Sequence, residues 1–344
     1  LEKLYAYTHI GCPIERNGTL VFQKFDSKYD QPVLCYLKEE GSFSEHHEII
    51  NPSKNSHLKN YHLTEFALSN DGNYLAYALS NGGSDWRQIR VYNILDGHFM
   101  TDRVDYVKFS NIAWSKNGFY YSRYPLPEKV NKLNNTNIGH QLYYHALGTS
   151  QDDDKLIFSQ PHAPKRNING EVTPDGNWLC IAVRESTSNN ALWVKKLSYN
   201  QPFIELVADF KHEYEIIGST ENEIFIRTNK NADNYKLVKV DLSDSIPVKW
   251  IDLVQENEYP IEKALTTKSY IIVVRIVNAS NQIEVYNLSG SLLYNISLPK
   301  MVSINTLTCN FNSDILWFEY ASFAIAPQIV RTDLTANKSS VWHT

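Results

Sequence analysis

The chain has 344 residues, 33 of them basic and 38 acidic, for a formal net charge of −5. Without a basic excess there is no field to condense on a phosphate backbone, so nucleic acid is excluded as an expected partner, and no apolar run reaches the roughly 18 residues of a membrane span. Its 22 tyrosines and 14 phenylalanines against two methionines favour half-buried pleated surface over helices.

In chain order, the N-terminal LEKLYAYTHI lacks the basic-then-apolar pattern of a secretory signal. The first alternating segments lie in RNGTLVFQKFDSKYDQPVLCYL, from Arg16 to Leu37. His46 and His47 follow; neighbours on a strand point to opposite faces, so the pair is expected at a surface or turn and not on a metal. The turn SNDG, Ser69 to Gly72, then precedes NYLAYAL and RQIRVYNI.

Between those two strands stands NGGSD, Asn81 to Asp85. A phosphate cradle needs a helix opening directly after its glycines, but the residues that follow alternate as a strand. Ser84 is outside any G-x-S-x-G pentapeptide, and none occurs in the chain. The stretch is expected to be a connection, with Asp85 folding back onto backbone amides.

The same order recurs twice more. SKNG (Ser115 to Gly118) precedes FYYSRYP and QLYYHAL, and TPDG (Thr173 to Gly176) precedes NWLCIAV and ALWVKKL. The acidic run Asp152-Asp153-Asp154 lacks the glycine and distal carboxylate of a calcium loop and is expected to be a solvated turn. Weaker copies run from Ser219 to Leu242, Thr266 to Leu288 and Asn312 to Leu334. Seven copies at intervals of roughly 44 to 58 residues match a four-stranded propeller blade. The expected fold is all-β, a seven-bladed β-propeller of four-stranded antiparallel blades, forming one domain over residues 1–344.

Cys12, Cys35, Cys180 and Cys309 lie far apart without CxxC spacing, which suggests neither zinc nor a disulfide framework. A soluble protein of a reducing, cytoplasmic compartment is expected. Sequons such as Asn17-Gly18-Thr19 and Asn295-Ile296-Ser297 arise by chance in an asparagine-rich chain.

GSDW (Gly83 to Trp86), VKFSNIAW (Val107 to Trp114), HQLYYHALGT (His140 to Thr149), LWVKKL (Leu192 to Leu197) and TNKNADNYKLVKVDL (Thr228 to Leu242) carry a resemblance to the propeller of the prolyl oligopeptidase family. The resemblance is collinear from about Leu1 to about Thr344. It implies a two-domain serine peptidase in which the propeller is inserted into an α/β-hydrolase domain bearing a Ser-Asp-His triad. No residue here matches that triad, so no catalytic residue, metal or cofactor is assigned. The implied partners are that hydrolase domain and short proline-containing peptides, with the propeller covering the active site and keeping folded proteins out. The resemblance also suggests a ring not stitched by a shared strand.

By position, Arg184 matches the arginine that the family extends toward the peptide, and Phe109 matches a phenylalanine lining an apolar pocket upstream of the scissile proline. Asp85 falls near the contact between the two domains. Without the resemblance, Arg184 is a strand-end arginine neutralised by Glu185, Phe109 a core ring, Asp85 a turn cap and Trp86 blade packing. Arg166-Asn167 and Ser186-Thr187 depart from the family's Trp-Met and Gly-Cys, which points to more polar pocket walls. Two other classes compete: a free-standing propeller acting as an interaction scaffold, and a glycosidase with two or three carboxylates facing a channel.

Overall fold

The computed structural model describes residues 8–38, 45–125, 137–198, 201–243 and 248–344; the N-terminal stretch 1–7 lies outside them. The described strands pair antiparallel. Helical elements among the described residues include the 3-10 turns Ser56–Leu58 and Gln151–Asp153, and no described helix is long and apolar enough to cross a membrane. The chain divides into two compact units, the first built mainly from Glu15–Val172 and Leu179–Thr187, the second from Thr173–Trp178 and Ser188–Thr344.

In the first unit, apart from Ile14, β1 (His9–Ile10), β2 (Ile14–Arg16), β3 (Thr19–Phe25), β4 (Val33–Lys38) and β5 (His47–Ile50) make a five-stranded sheet. An eight-stranded sheet follows: β6 (Tyr61–Leu68), β7 (Tyr74–Asn81), β8 (Arg87–Asn93), β9 (His98–Val107), β10 (Ala113–Ser115), β11 (Gly118–Arg123), β12 (Gln141–Ala146) and β13 (Lys155–Ser159). The hairpin of β14 (Asn167–Val172) and β15 (Trp178–Arg184) completes the unit apart from Trp178.

The second unit holds β16 (Ala191–Lys196) paired with β17 (Ile204–Val207). Three four-stranded sheets follow. They are β18 (Tyr214–Ser219) to β21 (Lys249–Val254) through β19 (Glu223–Thr228) and β20 (Lys236–Asp241); β22 (Ile261–Thr266) to β25 (Leu292–Ile296) through β23 (Tyr270–Val277) and β24 (Ser280–Asn287); and β26 (Ser303–Asn310) to β29 (Lys338–His343) through β27 (Ile315–Ala321) and β28 (Gln328–Asp333).

The expectation of seven separate four-stranded blades is therefore corrected. Five sheets are of blade size, one with five strands and four with four, and a sixth has eight. The physical cause is the length of β9: its last residue, Val107, pairs with Arg123 of β11, and this one pair fuses two repeats into a single sheet. The first sheet gains a strand because both β1 and β2 pair with β3.

Mutual shielding of apolar faces does hold. One buried cluster combines Ala76, Ile89 and Val104 of β7 to β9 with Trp114, Phe119 and Tyr121 of β10 and β11. In the second unit, Phe225 and Leu237 share a cluster with Ile271 and Val273, and Ile272 and Val285 share another with Leu316 and Phe318. Each large apolar side chain so covered contributes about 1.5–3 kcal/mol relative to exposure.

The repeated turns follow from their chemistry. In SNDG, Asp71 Oδ1 accepts from Ser69 Oγ at 2.5 Å and from the Asn73 amide at 3.1 Å, with Gly72 at φ +73°. In TPDG, Asp175 Oδ1 accepts from Thr173 Oγ1 at 2.6 Å and the Asn177 amide at 3.1 Å. SKNG is tighter, since Ser115 pairs with Gly118 and Lys116 takes φ +45°.

Candidate functional site

The segment Lys108 to Ile112, between β9 and β10, is anchored at the four residues that flank and follow Phe109. The Lys108 carbonyl oxygen is 2.9 Å from His140 Nε2, and Ser110 Oγ accepts the Ser122 amide at 2.7 Å. The Asn111 amide donates to Asn169 Oδ1 at 3.1 Å and the Ile112 amide to Glu65 Oε1 at 3.0 Å. Burial raises the Glu65 carboxyl above its usual range, with the Ile112 amide and the Arg87 charge opposing. Arg87 Nη1 reaches Glu65 Oε2 at 3.2 Å.

On this fixed segment Phe109 has φ +53° and is 48% exposed, so it is not a core phenylalanine. Tyr106, three residues earlier, has φ +61°. Left-handed backbone at two bulky residues so close together costs about 1–3 kcal/mol each and persists only where the surroundings over-determine it.

Lys108, nearly buried, carries the local charge. Its Nζ lies 3.2 Å from Asp85 Oδ2, 5.3 Å from the Trp86 ring centre and 5.0 Å from that of Phe109. Asp85 and Phe109 are thus brought together through a lysine that sequence reasoning passed over, although it sits in VKFSNIAW. Asp85 does not cap its turn: the Trp86 amide donates to Ser84 Oγ at 3.1 Å, and the Asp85 carboxylate stays 71% exposed. Trp86 packs as expected, edge-on to Tyr106 and Tyr124. A cleft of about 720 Å³ opens here, with Tyr61, Trp86, Arg103, Tyr106 and Lys108 in its wall.

Arg184 ends β15, half-buried, opposite Asn167 of β14. Glu185 does not neutralise it. Glu185 is held instead by Arg166, at 2.7 and 2.9 Å from Nη2 and Nε, and Arg166 Nη1 also donates to Gln160 at 3.0 Å. The divergent Arg166-Asn167 pair therefore builds a polar patch beside Arg184, which has no ion pair among the described residues.

One further sequence expectation changes. Asp154 is not a solvated turn residue. Its side chain is fully buried, accepting from Tyr121 at 2.6 Å and facing His145 Nδ1 at 2.7 Å. His46 and His47 sit beside Lys24 and Tyr36, and no group that could hold a metal occurs among the described residues.

The family model described as "Prolyl oligopeptidase, N-terminal beta-propeller domain" matches residues 1–344. A prolyl endopeptidase of Elizabethkingia miricola is 27% identical over 343 residues, covering 99% of this chain and 48% of that protein. Prolyl oligopeptidase A of Amanita bisporigera is 30% identical over 295 residues, covering 76% of this chain and 39% of that one. A solved structure from a structural and mechanistic study of two prolyl endopeptidases matches with a TM-score of 0.91 at 25% identity, over 100% of this chain and 50% of the other. The chain spans about half the length, or less, of these relatives.

Proposed function

This chain belongs to the prolyl oligopeptidase family as its N-terminal β-propeller domain, and from that premise we propose that it is the non-catalytic half of a serine endopeptidase that cleaves short peptides after proline. In this reading an α/β-hydrolase partner supplies the acyl-transfer chemistry. The present half covers the active site, admits unstructured peptides and keeps folded proteins out. The observation that carries the proposal is Phe109: a large apolar residue left half in solvent on a strained segment pinned through three backbone groups and the Ser110 side chain.

A preorganised aromatic surface of that kind takes up a peptide side chain at low entropic cost. The half-buried Arg184, clear of the Glu185 carboxylate, offers a fork of donors to a peptide carbonyl. Asp85 in the proposal is a partly satisfied interface carboxylate, already sharing Lys108 and exposed enough to accept a second cation from the hydrolase side. A cytoplasmic setting belongs to the same proposal, supported by four cysteines present as thiols, of which burial pushes Cys12 and Cys35 up to about 12.

The purified 344-residue chain is expected to bind a proline-containing peptide and to show no turnover of a Gly-Pro reporter. Calorimetry should find Arg184→Ala and Phe109→Ala each weakening that peptide about tenfold or more, the value of one charged hydrogen bond or one well-packed ring. Cleavage by the chain alone, or unchanged affinity in both variants, would sink the proposal.

A further inference from the structure

HQLYYHALGT contains a histidine that the peptide-contact reading leaves unused. His140 is 2% exposed and lies just before β12. Its Nδ1 accepts the Ile168 amide at 2.9 Å. An amide only donates, so Nδ1 is the bare nitrogen, and Nε2–H donates to the Lys108 carbonyl oxygen at 2.9 Å. Burial pushes the ring down to about 4, outweighing the Lys108 carbonyl, which keeps the imidazole neutral and this tautomer in place at neutral pH.

The two peptide units bridged in this way are informative. Lys108 immediately precedes Phe109. Ile168 immediately follows Asn167, the residue paired with Arg184 across β14 and β15. Tyr124 closes the bridge: its ring lies 4.6 Å from that of His140, and its hydroxyl donates to Asn167 Oδ1 at 2.8 Å. A second, more exposed link runs from the Asn111 amide to Asn169 Oδ1. The segment bearing Phe109 and the hairpin bearing Arg184 are thereby tied through one rigid, dry ring that has a donor on one side and an acceptor on the other.

We infer that His140 is a positioning residue that sets the spacing between Phe109 and Arg184, and with it the register of a peptide that touches both. The inference rests on the proposed peptide contacts of those two residues. A flexible or missing link in place of the ring leaves both contact residues present but no longer held at one separation, so long peptides lose affinity while short ones do not. The Asn111–Asn169 link does not involve the ring and is still available when the ring is removed.

The test uses the 344-residue chain, calorimetry with two peptides, and amide hydrogen exchange. One peptide is Gly-Pro. The other carries three residues, with an apolar side chain, upstream of its proline. His140→Ala is expected to weaken the longer peptide about tenfold, the equivalent of roughly one buried hydrogen bond, and to leave Gly-Pro unchanged. Combined with Phe109→Ala it should cost less than the sum of the two single changes, and the Ile168 amide should exchange at least tenfold faster. His140→Gln, whose amide both donates and accepts, should restore most of the affinity and protection. Should the alanine chain not fold, His140→Asn, too short to hold both peptide units, takes its place.

Unchanged affinity for the longer peptide in His140→Ala, with Phe109→Ala and Arg184→Ala still weakening it, would overturn the positioning role while leaving the peptide reading intact. Should those two variants bind normally, the peptide reading fails instead. The bridge is then judged by exchange alone, and unaltered protection of Ile168 would dispose of it.

Discussion

His145→Ala is expected to lower the free energy of unfolding by about 3–5 kcal/mol, the range for removing one partner of a buried ion pair. The imidazole is fully buried between two carboxylates, Nδ1 at 2.7 Å from Asp154 and Nε2 at 3.1 Å from Asp102. Asp102 Oδ1 also accepts the Gly148 amide at 2.7 Å, whereas its Oδ2 has no hydrogen-bond partner among the described residues. Deleting the ring leaves two carboxylates facing a hole without a cation. Urea unfolding of the variant beside the parent measures the loss, and a difference under about 1 kcal/mol would mean that the cluster carries no charge to uncover.

The same cluster sets a pH dependence. Burial by itself lowers His145, but hydrogen bonds and charges from Asp102 and Asp154 outweigh it and raise the ring from 6.5 to about 9. A folded value above the unfolded one means that the stabilisation is complete below about pH 6.5 and is lost as pH rises through about 9. Asp102 runs the other way. Burial pulls it up, but the His145 and Gly148 hydrogen bonds hold it below its ordinary value, so its contribution is present at neutral pH and lost in acid. Between pH 6 and 9.5 the parent should lose of order 2–3 kcal/mol that His145→Ala does not lose. Parallel pH profiles for the two proteins would refute the assignment.

Arg275→Ala is the second large expected loss, again about 3–5 kcal/mol. Arg275 lies in the interior of β23 at 1% exposure. Its Nε donates to Glu284 Oε2 at 2.8 Å, and its Nη1 donates to the Tyr259 carbonyl at 2.8 Å and to Asn257 Oδ1 at 3.2 Å. Glu284 Oε2 accepts the Tyr286 hydroxyl as well, at 2.7 Å. Truncating the arginine therefore strands a carboxylate and a carbonyl together. Replacing both charges, Arg275→Met with Glu284→Met, should cost clearly less than Arg275→Ala, because no unpaired charge remains. Chemical unfolding of the two variants decides the point; a double variant as unstable as the single one would place the loss in packing and not in charge.

What the sequence determined by itself is what depends on near neighbours. Alternation of period two placed β7, β8, β11, β12, β15 and β16, and the aspartates and glycines of SNDG and TPDG placed their turns, because the acceptor sits two residues from the amide it satisfies. The location of NGGSD between β7 and β8 followed from the same local rules. The family was legible from collinear segments spread along the whole chain.

Tertiary structure alone decided matters that depend on partners far off in sequence. The seven repeats expected from the sequence are not seven separate sheets, because one backbone pair, Val107 with Arg123, joins eight strands into one. Asp154 looked like part of a solvated acidic run until Tyr121 and His145 closed over it, and Asp85 looked like a turn cap until Lys108 took its carboxylate. Phe109 and Arg184 were nameable by resemblance, but the exposure of the one, the lack of a Glu185 pair for the other and the His140 bridge between their backbones were not. Repeat and turn chemistry act over two to five residues, whereas burial and charge pairing are set by which strands come to lie side by side, and no local pattern encodes that choice.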